Sequence, residues 1–390
     1  MAHILVLTSD IAEAAQIRRI RSLCALGHSV CSAGLRRSNM NPGFTPDWPH
    51  LPLGSVENGK PGRRVAAMVA MLLGLLRHRR RLGAPALILA RNLDMLAVAT
   101  ALRPWLPAAP ALVYECLDIH GAMTQRGAFG ASLRWAERRL LARTALLITA
   151  SPGFLRAYFE PRQGYAGAAA VFENRLAGTA LPPRPQKRRR PGRKLVLGWV
   201  GSLRCAPSLD LLCAVADRMG PAIEIRISGA VHRHALPHFA QEVARPNIRW
   251  TGPYRYPDDL EAIYRGCDLV WAQDLWQSGA NSDWLLPNRL YEAGYFGCPA
   301  LAVEGTETAR RIAKDGLGFT LRAARPDALI GCLKTLSVEA ISACGDHILG
   351  LPDGLFRETP EALDRVLSVA LDPLQAALPQ PNRAEKGKAA

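Results

Sequence analysis

The sequence holds no Cys-x-x-Cys pair. Its nine cysteines stand singly, at positions 24, 31, 116, 205, 213, 267, 298, 332 and 344. That spacing excludes the common zinc frameworks and a thioredoxin-like redox motif. Several of the cysteines fall in apolar stretches, where a thiol behaves as a small buried hydrophobe. A long hydrophobic run is also missing. The longest, residues 65–76, has twelve residues, whereas a bilayer span takes about 20. No basic region, apolar core and cleavage site precede the first apolar strand at residues 3–8. Together with the odd cysteine count this points to a reducing compartment, hence a cytoplasmic location. No Asp-x-Asp pair occurs, and the close pair His232 and His234 has no evident third ligand, so neither metal nor cofactor is expected. The basic clusters at residues 77–81 and 187–190 contain no aromatic residue. Single-stranded nucleic-acid sites interleave the two, so nucleic acid is a weak rival as partner.

What the sequence does have is positive charge: net +16, with a pI near 9.9. This balance favours acidic partners such as anionic lipid or a phosphorylated substrate. The basic cluster at 77–81 ends the apolar run at 65–76, the composition of an interfacial helix on anionic lipid. A peripheral position on the inner membrane surface follows as an expectation.

A length of 390 residues suggests two domains of about 150–200 residues each. Residues 3–8 read as a strand, 12–26 as an amphipathic helix stopped by Gly27, and 28–34 as a second strand. Strand, helix and strand in so short a span make a βαβ unit and a parallel sheet. Further strands are expected at 86–90, 111–116, 145–150 and 170–172, alternating with helices at 93–102, 131–142 and 153–159. Residues 182–194 hold four prolines and seven basic residues, a composition that predicts an exposed linker. The pattern then repeats. Strands are expected at 195–200, 223–228, 248–251, 268–272, 299–303 and 318–321. Helices are expected at 208–219, 234–244, 258–265, 288–296, 308–314 and 326–336. The fold class is α/β: two doubly wound Rossmann-like domains facing a cleft, at 1–181 and 195–356. A helix at 357–376, with the option of crossing back, and a disordered tail at 377–390 complete the chain.

Three constellations can carry chemistry. After the strand at 195–200, Gly201, Ser202 and Arg204 form a tight turn where free N–H groups and a guanidinium can hold a phosphate. Arg289 and Glu292, three apart behind Pro287, share one face at a helix start. That spacing suits Arg289 on a phosphate and Glu292 on ribose hydroxyls. At the C-terminal end of the strand at 111–116, Glu115, Asp118 and His120 gather where an α/β sheet places its site. Asp118 or His120 can serve there as general base toward an acceptor hydroxyl.

The segments NIRWTGPYRYPDDLEAIYRGCDLVWA and NRLYEAGYFGCPALAVEGTETARRIAKDGLGFTL, with RRIRSLCALGHSV and TALLITASPGFLRAYF earlier, carry a resemblance over most of the chain. The chain resembles GT-B glycosyltransferases of the large bacterial group that assembles cell-surface polysaccharides (glycosyltransferase group 1, family 4-like). The resemblance implies a metal-independent hexosyltransferase. The donor would be a nucleoside diphosphate sugar, UDP-linked by expectation, and the acceptor a saccharide or lipid-linked saccharide in exopolysaccharide synthesis. By analogy Arg204 and Arg289 contact the donor diphosphate and Glu292 the ribose. Retaining members carry a Glu-x7-Glu pair. Here Glu292 is the second member, the first position holds Trp284, and Asp283 stands beside it. That departure leaves retention or inversion open, with Asp118 the base if the reaction inverts. A sugar-nucleotide epimerase of the same fold is the rival reading.

Overall fold

A computed structural model describes residues 1–37, 43–56, 61–177, 181–188, 191–192 and 194–371. In the first half, seven parallel strands form one sheet: β1 (His3–Thr8), β2 (Ser29–Arg37), β3 (His50–Val56), β4 (Leu87–Arg91), β5 (Ala111–Cys116), β6 (Leu146–Thr149) and β7 (Ala169–Val171). Their spatial order is β3-β2-β1-β4-β5-β6-β7. Parallel neighbours require crossovers, and the crossover helices cover both faces. The strands are therefore apolar on both sides. Leu5, Leu7, Ile88 and Ala90 enter one core layer, and Ile4, Val6, Leu87 and Leu89 enter the other.

The second half repeats the plan with six parallel strands: β8 (Leu195–Val200), β9 (Ile223–Ser228), β10 (Ile248–Trp250), β11 (Leu269–Trp271), β12 (Ala300–Val303) and β13 (Gly318–Leu321). They lie in the order β10-β9-β8-β11-β12-β13. In each sheet the order reverses once, between β1 and β4 and between β8 and β11. Ligands of doubly wound sheets bind outside the strand C-termini at such a reversal.

Several elements differ from expectation for identifiable reasons. Strand β3 is absent from the sequence pattern because Pro52 and Gly54 interrupt it. A sheet edge tolerates both, and β3 is the edge. The helix expected at 234–244 shrinks to Phe239–Glu242 because Pro237 breaks its first turns. An unexpected helix, Val338–Gly350, starts where the Ser337 hydroxyl accepts from the Ala340 N–H at 3.1 Å. The described part of the basic segment read as an exposed linker is instead a strap on the second half. Arg184 donates to the Ile348, Leu351 and Tyr295 carbonyls, and Arg188 donates to those of Gly297 and Asp268. Helix Pro360–Leu371 packs Leu363, Leu367 and Ala370 into the core layer of Ile4 and Val6, so the chain crosses back to the first half. The tail expected at 377–390 lies outside the described residues.

Glu115 departs from the site predicted for it. It is buried between Arg19 at 2.8 Å and Arg91 at 2.9 Å, both guanidinia also buried. Arg19 reaches on to Glu358 at 3.0 Å, tying β5 to the returning C-terminal segment. Strand alternation explains the change: Glu115 points into the layer under the returning helix, away from the cleft. Burial alone would raise its carboxyl, but the charges of Arg19 and Arg91 outweigh burial and hold it below the usual range. Removing one partner of such a buried cluster costs about 3–5 kcal/mol. Glu115→Ala is therefore expected to lower the urea midpoint sharply without moving a donor-binding constant measured on the folded fraction. Because the folded-state pKa is depressed, this contribution is present above the unfolded-state value of about 4.3 and lost as pH falls below it.

Candidate active site

The site builds from the reversal in the second sheet. β8 ends at Val200 and is followed by Gly201, whose φ of 122° a side chain rarely adopts. The turn after it is laced to the loop after β9. Gly201 N–H donates to Ser228 O at 3.0 Å, Leu203 N–H to Ala230 O at 3.0 Å, and His232 N–H to Leu203 O at 2.9 Å. The two backbones approach so closely that a Cβ on Gly229 would stand 1.8 Å from the Gly201 oxygen. Ser202 and Arg204 are exposed on this turn, just ahead of helix Ala206–Met219. The Ser202 hydroxyl lies 2.6 Å from His232 Nε2.

Helix Asn288–Tyr295 delivers Arg289 to the same place. Its Nη1 donates to Val200 O at 3.1 Å, its Nε to Ala272 O at 3.0 Å, and its Nη2 to Gln273 O at 3.4 Å. The guanidinium thus bridges the C-terminal ends of β8 and β11, and two of its five N–H groups remain for an anion. Glu292, one turn on, is buried and accepts from the Tyr264 hydroxyl at 2.7 Å. Burial raises its carboxyl above the ordinary range, against the Tyr264 hydrogen bond and the charges of Arg18 and Arg289.

Asp118 faces these groups from the first half, beyond the end of β5. Its Oδ1 accepts from Asn281 Nδ2 at 3.1 Å, and Asn281 Oδ1 accepts from the Ile119 N–H at 2.8 Å. Asp118 keeps open surface, with Asn281, Arg204 and Asp274 of the second half around it. Desolvation there raises its carboxyl, opposed first by the Asn281 hydrogen bond and then by Arg204, and reinforced by Asp274 and Glu13. Those four neighbours come from the loops after β11, β8 and β1, so the C-terminal edges of the two sheets converge on one carboxylate. His120 is not part of that convergence. Its Nδ1 accepts from the Ala122 N–H at 3.2 Å, capping helix Gly121–Thr124, which engages one ring nitrogen in local structure.

The segment after β11 explains the missing carboxylate. Trp284 is buried in the core of the first half, its ring centroid 6.4 Å from that of Tyr158. Its carbonyl accepts from Ser151 Oγ at 2.5 Å. The indole holds the two halves together and presents no acid to the cleft. Asp283 accepts from the Gly279 N–H at 2.9 Å and braces its own loop. Among the described residues, no group of three His, Cys, Asp or Glu is arranged to hold a metal ion.

No protein-family model matches this sequence. The chain is 36% identical over 382 residues to the succinoglycan biosynthesis protein ExoL of Rhizobium meliloti (strain 1021), with 94% of each protein covered. The chain belongs to the ExoL family. Its fold is that of the GT-B glycosyltransferases. The sucrose-phosphate synthase of Thermosynechococcus elongatus superposes with a TM-score of 0.73 at 13% identity, covering 97% of this chain and all of that one. Anabaena HepE, solved with UDP and glucose, gives a TM-score of 0.67 at 14% identity over 96% of this chain and all of that one. WaaG, a glycosyltransferase of lipopolysaccharide biosynthesis, gives 0.62 at 15% identity over 94% of this chain and 99% of that one. At such identities the likeness is one of fold.

Two cleft residues escaped the sequence reading. Arg18, from the first helix, stacks its guanidinium 4.6 Å from the Tyr256 ring centroid in the second half and bears on Glu292. The only signal was an Arg-rich helix face, which ordinarily means solvent. Asn281 opens a short helix, Asn281–Trp284, and nothing local marks it as the partner of Asp118.

Proposed function

We propose that this chain transfers a hexosyl group from a nucleoside diphosphate sugar, with UDP as the nucleotide, to a lipid-linked or polysaccharide acceptor in exopolysaccharide assembly. The observation that carries this reading is the bridging of β8 and β11 by Arg289 at the sheet reversal, with Arg204 beside it and Asp118 opposite. The names of the ExoL relative and of HepE with UDP-glucose agree with it. Arg289 and Arg204 neutralise the departing diphosphate in place of a metal, and Glu292 accepts from the ribose. Asp118 removes the acceptor hydroxyl proton as the new C1–O bond forms and the C1–O–phosphate bond breaks. Because no second carboxylate takes the position of Trp284, the anomeric configuration inverts. Incubation with UDP-, GDP- and dTDP-sugars, with and without a lipid-linked saccharide extract, tests this. Acceptor-dependent nucleoside diphosphate release with an inverted product anomer supports it. Release of no diphosphate, or sugar interconversion without acceptor, overturns it.

The acceptor would be reached at an anionic inner-membrane surface. Helix Pro61–Arg77 buries Met71 and Leu75 but leaves Val65, Val69 and Leu73 exposed by 62%, 54% and 62%. Spaced four apart, these lie on one face, which ends at exposed Arg77, Arg79, Arg80 and Arg81. No single described helix is long and apolar enough to cross a membrane. Vesicles containing phosphatidylglycerol are expected to sediment with the protein at low salt, and Val65→Ser with Leu73→Ser to release it. No association at any ionic strength would sink the anchor.

A further inference from the structure

The function above leaves one titratable group on the diphosphate turn unused. His232 leaves β9 and reaches back to the turn after β8, its backbone N–H on Leu203 O and its Nε2 2.6 Å from Ser202 Oγ. The ring is half-buried, and the charged or titratable groups facing it are His234 from its own loop and Arg204 from the turn. His234 stacks edge-on with ring centroids 5.7 Å apart.

The hydrogen bond between Ser202 and His232 has a direction that depends on protonation. A neutral ring with its hydrogen on Nδ1 accepts from the Ser202 hydroxyl through Nε2, so the hydroxyl points away from the cleft. An imidazolium donates from Nε2 instead, and the hydroxyl hydrogen must then turn to another acceptor. We propose that His232 is a proton-operated switch on the donor turn: a diphosphate arriving there recruits a proton to His232, and Ser202 then donates to the diphosphate. This inference rests on reading that turn as the donor-diphosphate site. Burial, then His234, then Arg204 lower the proton affinity of the empty ring, so it is neutral near pH 7. Two phosphate charges reverse the local field and favour the imidazolium. His232 is a positioning residue, since it acts on the donor through Ser202.

The test uses whichever of UDP-, GDP- and dTDP-glucose binds the full-length chain most tightly. Their diphosphates are diesters that do not titrate near pH 6, so any linked proton belongs to the protein. Calorimetry in buffers of different ionisation enthalpy is expected to show proton uptake on binding at pH 6.5. Affinity is expected to tighten about fivefold from pH 7.5 to pH 5.5. In His232→Gln, which keeps a side-chain partner for Ser202, binding persists and both the uptake and the pH dependence disappear. In Ser202→Ala the proton uptake and the gain in affinity shrink together, because the uptake itself sets how affinity varies with pH. Binding without proton uptake, or uptake unchanged in His232→Gln, overturns the switch while leaving the donor site intact. Failure of all three nucleotide sugars to bind overturns the donor reading and the switch with it.

Discussion

Arg289→Ala is expected to abolish donor turnover, lowering nucleoside diphosphate release by about 10²–10³-fold. The guanidinium is held by the Val200 and Ala272 carbonyls at 3.1 and 3.0 Å, so its position at the sheet reversal is set before any ligand arrives. Preorganised charge of this kind costs no rearrangement as the leaving group develops its charge. Arg289→Lys is not expected to rescue, because an ammonium cannot bridge two strand ends and still meet a phosphate. The same hydrogen bonds give the residue a structural share. Removing them takes this donor from three carbonyls, those of Val200, Ala272 and Gln273, at a cost of about 1–3 kcal/mol. Thermal denaturation separates the two effects. A variant that melts a few degrees lower yet turns over donor normally would show that Arg289 is only a brace between β8 and β11.

Asp118→Asn is expected to reduce transfer by about 10²–10⁴-fold, the usual worth of a general base. The asparagine keeps the shape and one acceptor toward Asn281 Nδ2, so domain packing should survive. The pH profile adds a second readout. Desolvation raises the Asp118 carboxyl above the ordinary aspartate value. A base acts only when ionised, so wild-type kcat should fall on the acid side at a pH above the usual carboxylate range. The residual rate of Asp118→Asn should lose that limb. His120→Ala makes the control. Its Nδ1 caps a four-residue helix, so its loss should change activity by less than about tenfold, through a cap worth roughly 1 kcal/mol. If His120→Ala proves the more damaging, the roles assigned to the two residues are reversed.

The contrast between Asp118 and Glu115 shows where sequence reading stops. Both are carboxylates near one strand end, three residues apart. Their chemistry differs because Glu115 meets Arg19 and Arg91 inside a core layer, whereas Asp118 meets an asparagine brought from the other half. Trp284 makes the same point. Its place in the Glu-x7-Glu spacing was legible, but its burial against Tyr158 was not. The turn after β8 was more readable. Gly201 follows an apolar strand, and Arg289 and Glu292 share a helix spacing, so short-range rules located all three.

By itself the sequence determined two parallel α/β halves, the turn after β8 and the helix that carries Arg289. Each rests on hydrogen bonds, steric limits and side-chain periods that act within a few residues. Only the tertiary structure decided that Asp118 is gripped by Asn281, 163 residues away, that Arg18 lies over Tyr256, and that His232 rests on Ser202. The physical reason is that the first two pairs come from two sheets whose strand ends face each other, and the third from loops after neighbouring strands of one sheet. Their proximity depends on how whole layers pack, and no local propensity encodes it.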